Sequence, residues 1–228
     1  MVIDRADTHC IHINWKIQIK TMKQSDICRI GRPVTEIRNG RILCFGDSNT
    51  YGFDPRDPFG DRYPPSERWP EILATCTGRD VINMGLNGRT IPHTKREMDL
   101  ALSMMRKNMP ADLIIIMLGS NDAFLMAAPS AENISARMDT FISELRNAFP
   151  ELPVFLISPP RADIPPAFDQ ELFLELIPKY KRLAEKYNVL FAAAALWDLP
   201  LSADGIHFSP EAHKEFAVQT ENILAMLE

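Results

Sequence analysis

Three short clusters bring together residue types that could carry out nucleophilic chemistry on an electrophilic carbon. Gly46-Asp47-Ser48-Asn49-Thr50 sets a serine among turn formers, and Gly119-Ser120-Asn121-Asp122 offers a neutral amide donor. Asp204-Gly205-Ile206-His207 places a carboxylate and an imidazole three residues apart across a glycine. That turn can bring a carboxylate oxygen to Nδ1 of His207, fixing the tautomer and leaving Nε2 as a base. A fourth cluster, Gly85-Leu86-Asn87-Gly88, could turn a main-chain N–H toward the serine. Each cluster alone also reads as ordinary structure. Ser and Asn populate turns and helix caps for local hydrogen-bonding reasons, Gly85 and Gly88 suit any strand-to-helix loop, and His207 could be a surface histidine. The conjunction points to chemistry. The chain order is Ser…Asp…His, as in α/β-hydrolases, but Asn49-Thr50 follows Ser48, so their G-x-S-x-G elbow is absent.

The elements that must position these groups follow from periodicity. Candidate strands at Arg41–Phe45, Val81–Met84, Leu113–Leu118, Val154–Ile157 and Val189–Ala193 are short and nearly all apolar. They lack in/out alternation, as expected of strands buried on both faces of a parallel sheet. Between them run helical patterns. Ile134, Met138, Phe141, Ile142 and Leu145 trace one face behind Ser130 as N-cap, and Phe173, Ile177, Tyr180, Leu183, Ala184 and Tyr187 trace another. Pro178 is expected to kink or divide the second. Ser209 as N-cap, Pro210 and Glu211 open a last helix whose stripe runs through Phe216, Ile223, Leu224 and Leu227. The alternation implies an α/β fold, a three-layer α/β/α sandwich on a five-stranded parallel sheet with right-handed crossovers. Six of the ten glycines (Gly46, Gly52, Gly85, Gly88, Gly119 and Gly205) fall just after these strands or in the late Asp–His loop. That is the crevice where open α/β sheets bind ligands.

Residues 1–40 stand apart from this rhythm, and the domain is expected over 41–228. Ile11, Ile13, Trp15, Ile17 and Ile19 alternate with polar residues as in a half-buried strand. The segment reads as a loosely held extension, with an edge strand or oligomer arm as the alternative. It carries a net charge of +3 against −8 for the remainder, within 228 residues that are 46% apolar and 24% charged. An acidic body argues against a nucleic-acid surface. No apolar run reaches the roughly 20 residues of a membrane span, and no secretory signal is evident, so a cytoplasmic protein is expected. Cys10, Cys28, Cys44 and Cys76 form no CxxC pair, and Cys44 reads as a buried free thiol.

The blocks together carry a resemblance. Ile42-Leu43-Cys44-Phe45-Gly46-Asp47-Ser48-Asn49-Thr50-Tyr51-Gly52 resembles the first block of the SGNH hydrolases, also called the GDSL lipase/esterase family. Gly88, Asn121 and the Asp204/His207 pair are similar to the remaining blocks in order and spacing. The runs Ile114–Asp122, Ser158-Pro159-Pro160 and Asp204–Phe208 look most like the mycobacterial aryl esterase/acyltransferase branch. The resemblance covers residues 41–228 and implies a flavodoxin-like α/β/α fold. It also implies hydrolysis or transfer of acyl groups from small esters, acetyl above all, without metal or other cofactor. On that pattern Ser48 is the nucleophile, His207 the base, and Asp204 its orienting carboxylate. Ser48 N–H, Gly88 N–H and the Asn121 side chain would form the oxyanion hole. Tyr51, Phe53 and Trp69 become candidate pocket walls by proximity, with core packing the other explanation. Homo-oligomer assembly is plausible on the same resemblance. Two departures stand out: Asn49 replaces the family's usual Leu, and residues 91–110 and 123–152 are built differently. Two other functions compete. A metal-dependent phosphoesterase would need clustered His and Asp ligands, and a non-catalytic binding module could use the same fold.

Overall fold

The five apolar segments become parallel strands of one sheet in the computed structural model, which describes residues 27–28, 40–57, 59, 61–164 and 171–226. They are β2 (Arg41–Gly46), β3 (Asp80–Asn83), β4 (Leu113–Met117), β5 (Val154–Ile157) and β6 (Leu190–Ala192), each within about one residue of the expected ends. A further edge strand, β1 (Ile27–Cys28), pairs antiparallel with β6, Ile27 opposite Ala192 and Cys28 opposite Phe191. It comes from the segment expected to stand apart. The Ile11–Ile19 alternation, Cys10 and Leu227 lie outside the described residues.

The sheet order is β1-β6-β5-β4-β2-β3. From β2 the chain moves outward to β3, then crosses back to β4 on the other side, so the winding reverses between β2 and β4. Such a switch point opens a crevice at the strand C-termini. Ser48 follows β2 and Asn121 follows β4.

Alternate strand residues supply the two faces. Leu43, Phe45, Ile114, Ile116 and Leu156 pack under α3 (Lys95–Lys107), α5 (Ala131–Ala148) and α6 (Glu171–Tyr187), through Met98, Met105, Ile134, Phe141, Phe173 and Leu176. Ile42, Cys44, Ile115, Met117 and Phe155 face α2 (Trp69–Thr77) and α7 (Pro210–Ala225) through Trp69, Leu73, Phe216 and Ile223. This is the expected three-layer sandwich. Every residue of β4 is buried, which is why its sequence is an uninterrupted apolar run.

The helix ends follow their caps. Ser130 accepts the Asn133 N–H and Ser209 accepts the Ala212 N–H, with Pro210 in the first turn of α7. Pro178 does not divide α6, which runs unbroken through it. The carbonyl that Pro178 leaves without a donor is that of Leu174, on the exposed side of the helix, where water can serve it. Cys44 is a buried free thiol. No helix among the described residues is long and apolar enough to cross a membrane.

Candidate active site

The serine sits in the tight turn that ends β2. Asp47 caps a single helical turn, α1 (Ser48–Tyr51), its carboxylate accepting the Asn49 N–H at 3.0 Å. Gly52 closes that turn at φ +86°, a conformation glycine adopts without strain. The loop after β3 packs directly on it. A Cβ at Gly85 would lie 2.0 Å from the Tyr51 nitrogen, so only glycine permits the approach. Leu86 N–H donates to the Gly46 carbonyl at 3.2 Å, and the Arg89 guanidinium donates to the carbonyls of Gly46, at 2.7 Å, and Met84. Arg89 also lies 4.1 Å over the Phe45 ring, and burial draws its pKa down to about 10.

Asn121 enters from α4 (Ser120–Leu125), which starts beyond β4. Its Nδ2 donates to the Arg89 carbonyl at 3.0 Å, and the second amide hydrogen remains available. Among the described residues, neither the Ser48 nor the Gly88 main-chain N–H has a protein acceptor. Next to Asn121, buried Asp122 accepts Arg137 Nη1 and the Ile91 N–H, both at 2.8 Å, locking α4 to α5 and to the Gly88 loop.

The late loop completes the arrangement. Nε2 of His207 lies 3.0 Å from Ser48 Oγ, and Nδ1 lies 2.5 Å from Asp204 Oδ2. The other carboxylate oxygen accepts the N–H groups of Ile206 and His207, each at 3.0 Å. Burial pushes the Asp204 pKa up, but the bonds from the His207 ring and the two main-chain donors outweigh it and hold the carboxyl below its ordinary range. With Asp204 ionised, Nδ1 carries the proton and Nε2 can accept the serine hydroxyl's. Gly205 is required twice over: φ is +70°, and a Cβ would lie 1.8 Å from the Asp163 carbonyl oxygen. Asp163 N–H in turn donates to the Gly205 carbonyl at 2.7 Å, tying the loop to the segment after β5.

Hydroxyl, imidazole and carboxylate thus stand in line, and the serine's own main-chain N–H has no protein acceptor among the described residues. Such an arrangement can activate an alcohol for attack on a carbonyl and receive the charge that develops on its oxygen. It is built on the sequence motif itself: residues 44–215 match the family described as GDSL-like Lipase/Acylhydrolase. The chain belongs to that family.

Solved structures agree with GDSL membership. The inhibitor-bound aryl esterase of M. smegmatis is 29% identical with a TM-score of 0.70, over 82% of this chain and 99% of that one. Est24, a carbohydrate acetylesterase from Sinorhizobium meliloti, is 28% identical with a TM-score of 0.70 over the same shares. No curated protein matches the sequence.

The three expected pocket walls separate in this GDSL fold. Phe53 packs its ring on His207, centroids 4.6 Å apart, and is half-buried at the site. Half-buried Tyr51 lies under the Arg62 guanidinium, 4.8 Å from its ring. Trp69 is not a wall. It is fully buried against Phe216, centroids 4.9 Å apart, because the apolar face of α2 turns it into the core with Leu73. Arg89 is the residue that sequence reasoning missed. Its position directly after Gly88 was a signal, but its hydrogen bonds are to carbonyls, which leave no trace in residue types. Among the described residues, no three His, Cys, Asp or Glu side chains are grouped to hold a metal ion.

Proposed function

We propose that this protein is a serine esterase that hydrolyses, or transfers, short acyl groups from small esters through an acyl-Ser48 intermediate. The observation that carries this reading is the contact of His207 Nε2 with Ser48 Oγ at 3.0 Å, with Asp204 on the opposite ring nitrogen. Ser48 Oγ attacks the ester carbonyl while His207 takes its proton and returns it to the departing alcohol. Asp204 holds the imidazole and stabilises the imidazolium without itself being protonated. The Ser48 and Gly88 N–H groups and the Asn121 amide receive the oxyanion. Water or an acceptor alcohol then releases the acyl group by the reverse sequence. None of these steps calls on a metal or cofactor. The preference for acetyl is supported by the Sinorhizobium relative, an acetylesterase by its description, and the aryl esterase likeness favours activated alcohols.

Labelling with a fluorophosphonate and turnover of p-nitrophenyl acetate test the proposal together. The wild type should be labelled on Ser48 and turn over the acetate, and Ser48→Ala should lose both. A Ser48→Ala protein that is still labelled and active would overturn the nucleophile. A chain-length series rising steadily beyond about eight acyl carbons would overturn the acyl preference.

A further inference from the structure

Asn49 is buried, with 3% of its surface exposed, yet a leucine would suit a buried site beside the nucleophile equally well on burial alone. Both hydrogen bonds of its side chain go to the far loop. Nδ2 donates to the Ile206 carbonyl at 3.3 Å, and Oδ1 accepts the Phe208 N–H at 2.8 Å. These belong to the two peptide groups that bound His207, so one amide grips the backbone on either side of the imidazole. Its own N–H is anchored on Asp47, which fixes the clamp to the turn that bears Ser48.

The loop is otherwise braced on itself and on other parts of the chain. Ser202 N–H donates to the His207 carbonyl at 2.7 Å, Gly205 N–H to the Ser202 carbonyl at 2.9 Å, and Tyr63 meets Ser202 through its hydroxyl at 3.2 Å. Among the described residues, three hydrogen bonds join this loop to the nucleophile turn: the two from Asn49 and the one between Ser48 and His207. The last cannot persist through a catalytic cycle. Once Ser48 Oγ is esterified it has no hydrogen to donate, and the bond that registers His207 against the reacting atom is gone.

We infer that Asn49 is a positioning residue that keeps His207 in register during release of the acyl group, an inference that rests on the esterase reading above. In that half-reaction Nε2 takes a proton from water as the water oxygen bonds to the acyl carbon. The carbon–Oγ bond then breaks, Ser48 recovers the proton from the imidazolium, and the carboxylic acid leaves. Attack by Ser48 begins with the Ser48–His207 bond intact; release begins without it. Loss of the clamp therefore falls on release.

The test is pre-steady-state and steady-state turnover of p-nitrophenyl acetate by wild type, Asn49→Leu and Asn49→Asp, each checked for cooperative thermal unfolding well above the assay temperature. Asn49→Leu removes both bonds, whereas Asn49→Asp retains the acceptor for Phe208 and guards against a leucine variant that fails to fold. In Asn49→Leu, kcat should fall about 10- to 100-fold, the scale of a misplaced catalytic group. KM should fall with it, kcat/KM should change less than about threefold, and a burst approaching one p-nitrophenol per active site should appear. Asn49→Asp should lie between. Unchanged kinetics in the folded variants overturn the inference, as does a fall in kcat/KM equal to that in kcat with no burst. A wild type whose Ser48 resists the fluorophosphonate overturns the esterase reading instead.

Discussion

Asp204 holds its charge because three donors surround it, not because it is exposed: one carboxylate oxygen serves the His207 ring and the other serves two main-chain N–H groups. Asp204→Asn separates those tasks. The amide oxygen can keep both main-chain bonds and so the shape of the loop, while its NH₂ cannot accept from Nδ1–H. His207 then has no partner enforcing the tautomer that leaves Nε2 free. The expected outcome is a kcat on p-nitrophenyl acetate lower by about 10²–10⁴, with the unfolding transition still cooperative. The pH dependence carries a sign. A carboxyl held below its ordinary range contributes stability above an unfolded value of about 3.8, and loses it as pH falls through the lower folded value. The wild type should therefore be the more stable protein at pH 5–7, and the gap to Asp204→Asn should close only under acid conditions below that range. A kcat within tenfold of wild type would show that Asp204 orients nothing of consequence.

Elements meet at this site through backbone contacts, and those are what a sequence hides best. The strands were legible because β2, β4 and β5 are buried on both faces and admit only apolar residues, and the caps at Ser130 and Ser209 were legible because they use local bonds. Ser48, Asn121, Asp204 and His207 were legible because each lies in a cluster rich in turn formers beyond a strand or before the last helix. Strand β1 was not: two residues show no period. Nor were the roles of Arg89 and Asn49, whose side chains hydrogen-bond main-chain atoms, in the case of Asn49 more than 150 positions away. Trp69 misled because nearness in sequence to Ser48 is not nearness to its hydroxyl; α2 carries it under the sheet. Gly85 tests the backbone contact directly. Its Cα faces the Tyr51 nitrogen and the Thr50 carbonyl carbon, with no room for a methyl group. In Gly85→Ala one of the two loops must shift, and both carry N–H groups proposed to receive the oxyanion. Turnover should fall by at least tenfold, and the unfolding free energy by about 1–3 kcal/mol, the usual cost of overpacking. An alanine variant with full activity and stability would show that the loops can separate without consequence.

The stability of the whole molecule against pH is set partly by two buried groups that pull in opposite directions. Burial raises the Asp47 pKa to about 6, opposed by its bond from Asn49 and by the nearby His207 and Arg89. Burial lowers the His213 pKa to about 3, with Arg68 and His207 adding to the effect. His213 lies at the start of α7, where Nδ1 accepts the Trp69 N–H at 3.4 Å, and Phe208 and Tyr63 pack edge-on against its ring. Between about pH 4 and 6 the folded protein retains a proton on Asp47 that the unfolded chain has released, so this group costs more stability as pH rises. Over pH 3 to 6.5 the unfolded chain binds a proton on His213 that the folded protein refuses, so this group costs more as pH falls. The two slopes offset each other. Asp47→Asn keeps the cap on Asn49 but removes the first slope, and its stability relative to wild type should climb from pH 4 to pH 6 by on the order of 2–3 kcal/mol, at about 1.4 kcal/mol per pKa unit. His213→Gln removes the second slope, and its stability relative to wild type should fall over the same interval by a similar or larger amount. Urea unfolding at pH 4, 5, 6 and 7 reads both differences, and because each is taken against wild type, other groups such as Asp122 and Asp204 cancel. Parallel curves for all three proteins would show that both side chains titrate alike in the folded and unfolded states, and that their burial at 2% and 0% exposure does not shift them.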